Sequence, residues 1–405
     1  MTLSATPVAA VRQRRWSPTA GFALVGLVLV AFLAAAAAPS PLYVVYQAQW
    51  GFSAATLTVV FASYAVALLL ALVTVGGVSD FVGRRPVLVA ALALEAVAMV
   101  LFLVAGDVPV LIAARVVQGL ATGTATGVAS AALVDLAPAS RPQLGPLLNS
   151  AGSTGGLAAG ALGSGVLVQL LPGSPWVVFA VLLAVMVLLA VAALRLPDTV
   201  APRPGAWASL RPRLAVPRAA RGTFLAVLPL LVATWSMGAL YLSLGPSIAG
   251  QLLGLHSHLV EAVVVAVFTG AGAVGAVAGR DAAPRRVMLV GAAALAVGTA
   301  LIVVGTATAS VPAYLVGTVV AGTGFGGGFL GAFRSLAVLA EPEQRAELLA
   351  TVYLVNYLAF SVPAVVAGLL VSSLGLRTTA LGYGAIVVAL ALSVLLTQAV
   401  RRRRA

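Results

Sequence analysis

Residues 76–85 read GGVSDFVGRR and lie between two long apolar runs, Ala54–Gly76 and Pro86–Ala105. Each run has about the ~20 residues that an α-helix needs to cross a ~30 Å hydrocarbon core. The segment between them places one carboxylate and two guanidiniums in a short turn. This arrangement predicts two antiparallel transmembrane helices joined by a charged loop at one membrane surface.

Ten further apolar runs of similar length flank this pair. Of the 405 residues, 61% are hydrophobic and only 8% are charged, whereas a soluble domain has roughly a quarter of its residues charged. The composition therefore predicts an all-α membrane protein, and the lack of cysteine excludes disulfides and thiol chemistry. The twelve expected spans are Phe22–Pro39, Ala54–Gly76, Pro86–Ala105, Pro109–Leu136, Leu144–Leu170, Trp176–Leu196, Phe224–Leu244, Leu259–Gly279, Val287–Ala307, Val311–Ala340, Leu348–Val371 and Thr378–Thr397.

The positive charge is distributed asymmetrically between the two sides of these spans. All 23 basic residues are arginine, and 20 of them lie at the two termini and in the loops that share their side. The positive-inside rule then predicts that both termini are cytoplasmic in the cell (plasma) membrane. The net charge of +13 thus orients the chain and does not indicate a nucleic-acid partner. A cleavable signal peptide would also have a basic start, but its removal would leave an uneven number of spans.

The chain also divides into two related halves. Residues 197–221 are rich in Pro and Arg and predict a linker between a bundle at 20–196 and a bundle at 222–399, with tails at 1–19 and 400–405. A charged pattern repeats in these halves: Asp80, Arg84 and Arg85 correspond to Asp281, Arg285 and Arg286. Internal repeats of this kind are typical of transporters that bind substrate between two bundles.

Glycines recur every fourth residue on several spans and predict grooves for close helix packing. We expect such grooves on the fourth, fifth, eighth and tenth spans, where they would pack helices statically or allow the halves to slide. The clearest examples are Gly119, Gly123, Gly152, Gly156 and Gly160.

The loop at 76–85 resembles the Gly-x-x-x-Asp-x-x-Gly-Arg-Arg signature of the major facilitator superfamily, with Gly76, Asp80, Gly83, Arg84 and Arg85 in the required places. The resemblance implies twelve transmembrane helices in two six-helix bundles and transport by alternating access. It also implies that this loop latches the outward-open state, with Asp80 near the start of the eleventh helix. By the internal repeat, Asp281, Arg285 and Arg286 would form a matching gate. A purely topological role for the arginines is the alternative.

The segment Arg115-Val-Val-Gln118-Gly119 resembles a second motif of this superfamily, which lines the central cavity and is linked to proton coupling. A buried arginine is costly and needs a partner or a wet cavity. Glu95 is at a similar depth on the neighbouring span. Two alternatives follow: a structural Glu95–Arg115 pair, or an arginine that meets substrate or a coupling carboxylate.

The overall pattern is closest to the twelve-span drug:proton antiporters of the superfamily. The fifth span resembles their glycine-rich antiporter motif, but Ala161 stands where its proline is expected. No acid lies on the first or seventh span, so proton coupling would depend on Glu95, Asp135, Glu261 or a group near the ends of the spans.

Other polar and aromatic residues mark a cavity with little charge, which suits a small hydrophobic or amphipathic substrate. They are Tyr64, Trp235, Tyr353, Asn356 and Tyr357, of which the last three share one face of the eleventh span. We therefore expect a monomeric, proton-coupled exporter in the lipid bilayer, or alternatively an uptake or facilitative carrier for a small metabolite.

Neither an enzyme nor a metal protein is expected. No nucleophile, base and orienting group can be assembled from the sequence. His256, His258 and Glu261 lie close together in a loop but lack a further ligand, so we expect no metal and no cofactor.

Overall fold

The fold was analysed in a computed structural model that describes residues 16–171, 175–209, 215–255, 257–339 and 345–404. These residues form helices and no strands, and twelve helices are long and apolar enough to cross a membrane. The prediction of an all-α protein with twelve spans is confirmed. His256 and the first fifteen residues of the predicted N-terminal tail lie outside the described residues.

We number the spanning helices in chain order. They are α1 Pro18–Ala37, α2 Ala54–Val75, α3 Arg84–Val104, α4 Val108–Asp135, α5 Ser153–Leu170, α6 Trp176–Ala193, α7 Arg218–Ser243, α8 His258–Ala278, α9 Pro284–Thr308, α10 Val311–Ala337, α11 Arg345–Leu374 and α12 Leu376–Arg404. An even number of crossings places both termini, the linker after α6 and the loops α2–α3 and α8–α9 on one side, which we call the linker face. The opposite side is the far face.

Side-chain caps fix where several helices begin. Ser17, Ser53 and Asp107 each accept a hydrogen bond from a backbone N–H in the first turn of α1, α2 and α4. Such caps satisfy N–H groups that have no partner within the helix. At the far face, Gly375 separates α11 from α12 with a φ of 80°, a value that glycine adopts without strain.

Several helix ends differ from the expected spans. The first helix ends at Ala37, before the Pro39–Pro41 break, and a separate short helix at Leu42–Trp50 continues the chain on the far face. Helix α7 begins at Arg218 instead of Phe224, because its first turn lies beyond the apolar run and carries Arg218 and Arg221. Apolar runs mark the hydrocarbon thickness, whereas helices extend past it.

The two bundles repeat each other's backbone packing. A Cβ on Gly119 or Gly123 of α4 would collide with the α2 carbonyls of Tyr64 and Leu68. A Cβ on Gly322 or Gly326 of α10 would collide with the equivalent α8 carbonyls. Glycine at these positions lets both helix pairs approach at backbone distance.

Two helix pairs join the bundles. Helix α5 packs on α8, and α2 packs on α11. At the first interface, Cβ atoms built on Gly155 and Gly270 would lie 3.8 and 3.7 Å from Ala273 and Ala158, respectively. The site described next lies between these two pairs.

Candidate functional site

A polar network surrounds Arg115 in the middle of the N-terminal bundle. Its Nη1 atom donates to Gln118 Oε1 at 2.5 Å, and the Gln118 amide donates to Glu95 Oε1 at 3.1 Å and to the Ala35 carbonyl at 3.0 Å. Arg115 is 2% exposed, and Glu95 and Gln118 are fully buried. Helices α1, α3 and α4 therefore meet through hydrogen bonds to Gln118.

Glu95 and Arg115 do not pair directly. Among the described residues no salt bridge of 4.0 Å or less joins them, and Gln118 hydrogen-bonds to both. Glu95 Oε2 and Arg115 Nε are buried without a hydrogen-bond partner in this part of the chain. Glu95 thus keeps an oxygen that could accept a proton, and Arg115 keeps an N–H that could donate to a ligand.

Aromatic rings cover the guanidinium. Its carbon lies 4.3 Å from the Tyr64 ring centroid and 5.8 Å from that of Tyr43, within the range of cation–π attraction. Tyr64 reaches this position because Gly119 lets α2 approach α4 closely. The glycine at the end of the Arg115–Gly119 motif thus supports the arginine's environment as well as helix packing.

The C-terminal bundle faces this network with an aromatic cluster on α7, α10 and α11. The Trp235 ring centroid lies 5.1 Å from Tyr357, 5.7 Å from Phe329 and 6.2 Å from Phe360. Trp235 Nε1 and both amide atoms of Asn356 are buried with no hydrogen-bond partner among the described residues. Buried polar atoms nearly always have hydrogen-bond partners in folded proteins, so these unpaired atoms suggest that a ligand supplies the missing hydrogen bonds.

The bundles are closed against each other on both sides of this region. Toward the linker face, the Tyr353 hydroxyl lies 3.2 Å from Ser130 Oγ, which itself donates to Asn149. Toward the far face, a Cβ on Gly368 of α11 would collide with Thr58 of α2. The structure therefore has the central residues occluded from both faces.

The loop before α3 is held by Arg84. Its guanidinium lies 2.5 Å from Asp80 and 3.2 Å from Asp135 at the end of α4. Its backbone N–H donates to Asp198 of the linker at 2.9 Å. Gly83 has a φ of 105°, and a Cβ there would lie 2.5 Å from Asp198 Oδ2, so this turn requires glycine.

The linker adds further contacts to this loop. The Arg203 N–H donates to the Phe81 carbonyl at 2.8 Å, its Nε donates to the Asp80 carbonyl at 3.1 Å, and its guanidinium lies over the Phe81 ring. The Asp80 side chain pairs with Arg84, and no hydrogen bond to α11 is found within the described residues. The expected proximity of Asp80 to the start of α11 therefore does not take the form of a bond in this occluded state.

The loop before α9 is built differently. Arg334 of α10 donates to the carbonyls of Arg280 and Ala282 at 3.0 and 3.1 Å. Asp281 pairs with its neighbour Arg280, and Arg285 donates to Gln398 at 3.3 Å. Asp281 and Arg285 thus do not form the ion pair that Asp80 and Arg84 form.

The predicted packing glycines contact helices of their own bundle. Gly156 and Gly160 pack on α1, where Cβ atoms would collide with the backbone, and Gly152 lies near Val30. Of the two expected roles, these contacts fit static packing within one bundle; spacing alone does not reveal which helix a groove faces. The bundle interface uses Gly155 and Gly270 instead.

Several residues that contribute to these sites were not identified from the sequence. Asp198 and Arg203 lie in the segment that the sequence marked only as a linker, and Ser130 and Asn149 were not singled out from the sequence. One signal was available for Ser130: it follows Thr126 by one helical turn on α4, so the two polar side chains share a face of the helix. Within the described part of the chain, no cluster of three or more His, Asp or Glu could hold a metal ion.

Twelve spanning helices, two repeated bundles and an occluded polar and aromatic region between them define a membrane transporter that works by alternating access. Residues 23–283 match the sequence profile of the Major Facilitator Superfamily, which is more than half of the chain. The chain belongs to this superfamily, whose members are transporters and not enzymes.

Solved structures support the same fold. The human organic anion transporter MFSD10 (TETRAN) superimposes with a TM-score of 0.71 at 16% identity, covering 94% of this chain and 100% of that one. A mutant of the nucleoside transporter NupG gives 0.68 at 14% identity, covering 94% and 99%. A search of curated protein sequences finds no match.

Proposed function

We propose that this protein exports a small hydrophobic or amphipathic compound in exchange for protons. The observation that carries the proposal is the occluded region between the bundles, in which the Glu95–Gln118–Arg115 network lies in one bundle and an uncharged aromatic cluster in the other. Proton and substrate would use neighbouring parts of one site, as exchange by alternating access requires.

The moving bodies in this proposal are the bundles at 20–196 and 222–399, joined by the linker at 197–221. The linker face is the cytoplasmic side of the cell membrane, because most arginines lie there. The protein acts as a monomer. The loop at 76–85 gates the linker face: Asp80 exchanges its Arg84 contact for the start of α11 when the far face opens, as the family resemblance implies.

In the C-terminal bundle, Trp235 and Tyr357 form a flat apolar wall for the substrate, and Asn356 supplies a donor and an acceptor. The unpartnered Trp235 and Asn356 atoms support this role, because a substrate that hydrogen-bonds to them would offset the cost of their burial. Tyr353 closes the linker side through Ser130. Breaking the hydrogen bond between Tyr353 and Ser130 would open the site to the cytoplasm.

In the N-terminal bundle, Glu95 carries the exchanged proton. Its Oε2 atom has no partner in the described residues, and its Oε1 atom is linked through Gln118 to Arg115. A change of charge on Glu95 therefore alters the field at the guanidinium, within a region of low dielectric where such changes are large. Asp135 is a less suitable carrier because it pairs with Arg84 at the linker face.

Uptake or facilitated movement of a small anionic metabolite is the second candidate. The observation that favours it is the permanently charged Arg115, whose Nε atom is unpartnered in the described chain. One of the solved relatives is named as an organic anion transporter. An anion would bind at Arg115 and would not compete with a proton.

Transport in liposomes separates these candidates. A fluorescent lipophilic cation would be followed in vesicles with an imposed pH gradient. We expect counter-transport that follows the gradient, is abolished in Arg115→Ala and Asp80→Asn, and loses its pH dependence in Glu95→Gln, which preserves the hydrogen bond to Gln118. Asp107→Asn is the matched control because Asp107 caps α4 outside the network.

Two results would contradict the exporter. One is equal transport with and without the gradient. The other is that the protein does not transport the dye but equilibrates a small anion across the membrane, which would favour the second candidate.

A further inference from the structure

Two neighbouring helices of the C-terminal bundle carry arginines at their linker-face ends. Arg285 and Arg286 lie in the first turn of α9, and Arg401–Arg404 form the last turn of α12. The two helices pack against each other, and Arg285 Nε donates to Gln398 Oε1 of α12 at 3.3 Å. Because Gln398 is within one helical turn of the α12 arginines, the two groups lie side by side. We call these six arginines the α9–α12 basic end.

On α9, an apolar row that faces lipid leads up to this basic end. Val290, Val297 and Val304 are 64%, 57% and 52% exposed, and their spacing of seven residues places them on one face of the helix. An exposed apolar row on a spanning helix lies against the acyl chains of the bilayer. Arg286 precedes Val290 by four residues, so it is at the linker-face end of the same row.

Helix α12 has the same arrangement in the opposite chain direction. Leu392, Leu396 and Val400 are exposed at every fourth residue, and Arg404 is the next position of this row. The apolar part of α12, Leu376–Val400, has 25 residues and is roughly 38 Å long at 1.5 Å per residue. This length exceeds the ~30 Å hydrocarbon core, so the arginines that follow lie at the level of the lipid headgroups.

The positive charge of this end is not compensated within the bundle. Among the described residues, Arg285 hydrogen-bonds only to the neutral Gln398, and Arg286 has no hydrogen-bond or ion-pair partner. Neither α9 nor α12 contains an Asp or Glu in its sequence. In the N-terminal bundle, by contrast, the equivalent arginine, Arg84, pairs with two carboxylates. The counter-ion of the α9–α12 basic end must therefore come from outside the two helices.

An anionic phospholipid matches both features of this surface. Its phosphate is an acceptor for guanidinium groups, which bind phosphate through several N–H donors at once. Its acyl chains match the apolar rows that run from the arginines toward the far face. Basic clusters directly beside a spanning helix attract anionic lipids for this reason. A soluble anion would use the charge but not the rows.

We propose that the α9–α12 basic end binds the headgroup of an anionic phospholipid, whose acyl chains lie along the Val290 and Leu396 rows. Arg285 and Arg286 bind the phosphate from α9, and the last turn of α12 supplies further positive charge. The N-terminal bundle lacks an equal site, because only one arginine, Arg195, lies within four residues after α6. The site depends neither on the transported compound nor on the direction of transport.

Quenching of a fluorophore by brominated lipid would measure this binding on the full chain in liposomes. The sequence has no cysteine, so Leu396→Cys labelled with bimane reports on the α12 row alone. Val191→Cys is the matched position in the N-terminal bundle: Val191 is exposed on α6, four residues before Arg195. The liposomes contain phosphatidylcholine and a minor amount of phosphatidylglycerol. In one sample the phosphatidylglycerol is brominated, and in the other an equal amount of the phosphatidylcholine is brominated.

We expect phosphatidylglycerol to be enriched about fivefold over phosphatidylcholine at position 396 and less than about twofold at position 191. Salt at about 1 M should weaken the enrichment, because it screens charges at the membrane surface. Equal quenching by the two brominated lipids at position 396 would overturn the proposal. Equal enrichment at both positions would also overturn it, because the lipid would then follow the whole linker face.

Variants locate the site. Arg285→Gln combined with Arg286→Gln should reduce the enrichment at position 396 at least about twofold, and replacing Arg401–Arg404 by glutamine as well should abolish it. Arg141→Gln combined with Arg218→Gln is the control, since it removes the same charge from exposed positions elsewhere on the linker face. Equal losses in the two double variants, with both folded, would contradict a site at α9 and α12.

Inorganic phosphate separates a lipid site from a site for the free anion. Added at the ionic strength of a sodium chloride control, it should leave the enrichment unchanged, because it has no acyl chains to lie on the apolar rows. Release of the lipid by phosphate and not by chloride would show that the free anion is the occupant, and the proposal would be wrong.

Discussion

At equivalent places, the N-terminal bundle has a charged network, whereas the C-terminal bundle has an uncharged cluster of stacked rings and a tyrosine–threonine hydrogen bond. Arg115 precedes Gly119 by one helical turn, and Thr318 precedes the equivalent Gly322 by one turn. Arg115 lies over Tyr64, whereas Thr318 accepts a 2.6 Å hydrogen bond from Tyr241, whose ring stacks on Phe268.

The neighbouring positions differ in the same direction. Gln118 corresponds to Ala321, directly before the glycine on each helix. Glu95 occupies the buried stripe of α3 at the position that Leu295 occupies on α9. At these equivalent positions the two bundles share a backbone frame, and the charged groups Arg115 and Glu95 occur only in the N-terminal bundle. We infer that the N-terminal bundle carries the charge chemistry and that the C-terminal bundle shapes the site.

The largest expected effect tests the shared frame. Gly123→Val and Gly326→Val should each destabilise the protein by about 3 kcal/mol or more, because the added atoms collide with a helix backbone that cannot yield. Thermal unfolding of the purified protein would measure this. Gly382→Val is the control, since a Cβ there meets nothing within 4 Å. A mild effect at either packed glycine would show that the bundles are not packed alike.

The next prediction tests the asymmetry of function. Arg115→Leu should reduce transport about 100-fold, because it removes a buried hydrogen-bonded charge and leaves Glu95 without a cation near it. Thr318→Val, at the equivalent place, should leave transport within about twofold of the natural protein. Initial rates in liposomes would measure both. Similar losses would contradict the assignment of charge chemistry to one bundle.

Much of this comparison was accessible from the sequence. Apolar length predicted the twelve spans. The loop at 76–85 lies between the second and third spans and the Arg115 motif lies within the fourth, as expected, because the residue spacing of each motif is local. The role of Gln118 as a link between Glu95 and Arg115 was not predictable, since helix rotation decides which of three buried groups touch. Asp198 was missed for a similar reason: more than 100 residues separate it from Arg84, and no periodic pattern marks a linker contact.

The two loops at the linker face provide a smaller test. Asp198→Ala removes the acceptor for the Arg84 N–H, and Arg334→Ala removes the guanidinium that binds the carbonyls of Arg280 and Ala282. We expect hydrogen exchange to accelerate about tenfold at 79–85 in the first variant and at 279–286 in the second. Each variant is the control for the other. Acceleration of both loops by one variant would indicate that they are coupled across the bundles.

The smallest expected effect concerns the hydrogen bond that fills the C-terminal counterpart of the Arg115 site. Tyr241→Phe keeps the ring stacked on Phe268 and removes only the bond to Thr318, so it should cost about 1 kcal/mol of stability. Combining it with Thr318→Val should cost little more than either change alone, because both remove the same bond. Transport by the double variant should remain near that of the natural protein. A large loss of transport with little loss of stability would mean that Tyr241 takes part in substrate movement, and the functional asymmetry between the bundles would then be wrong.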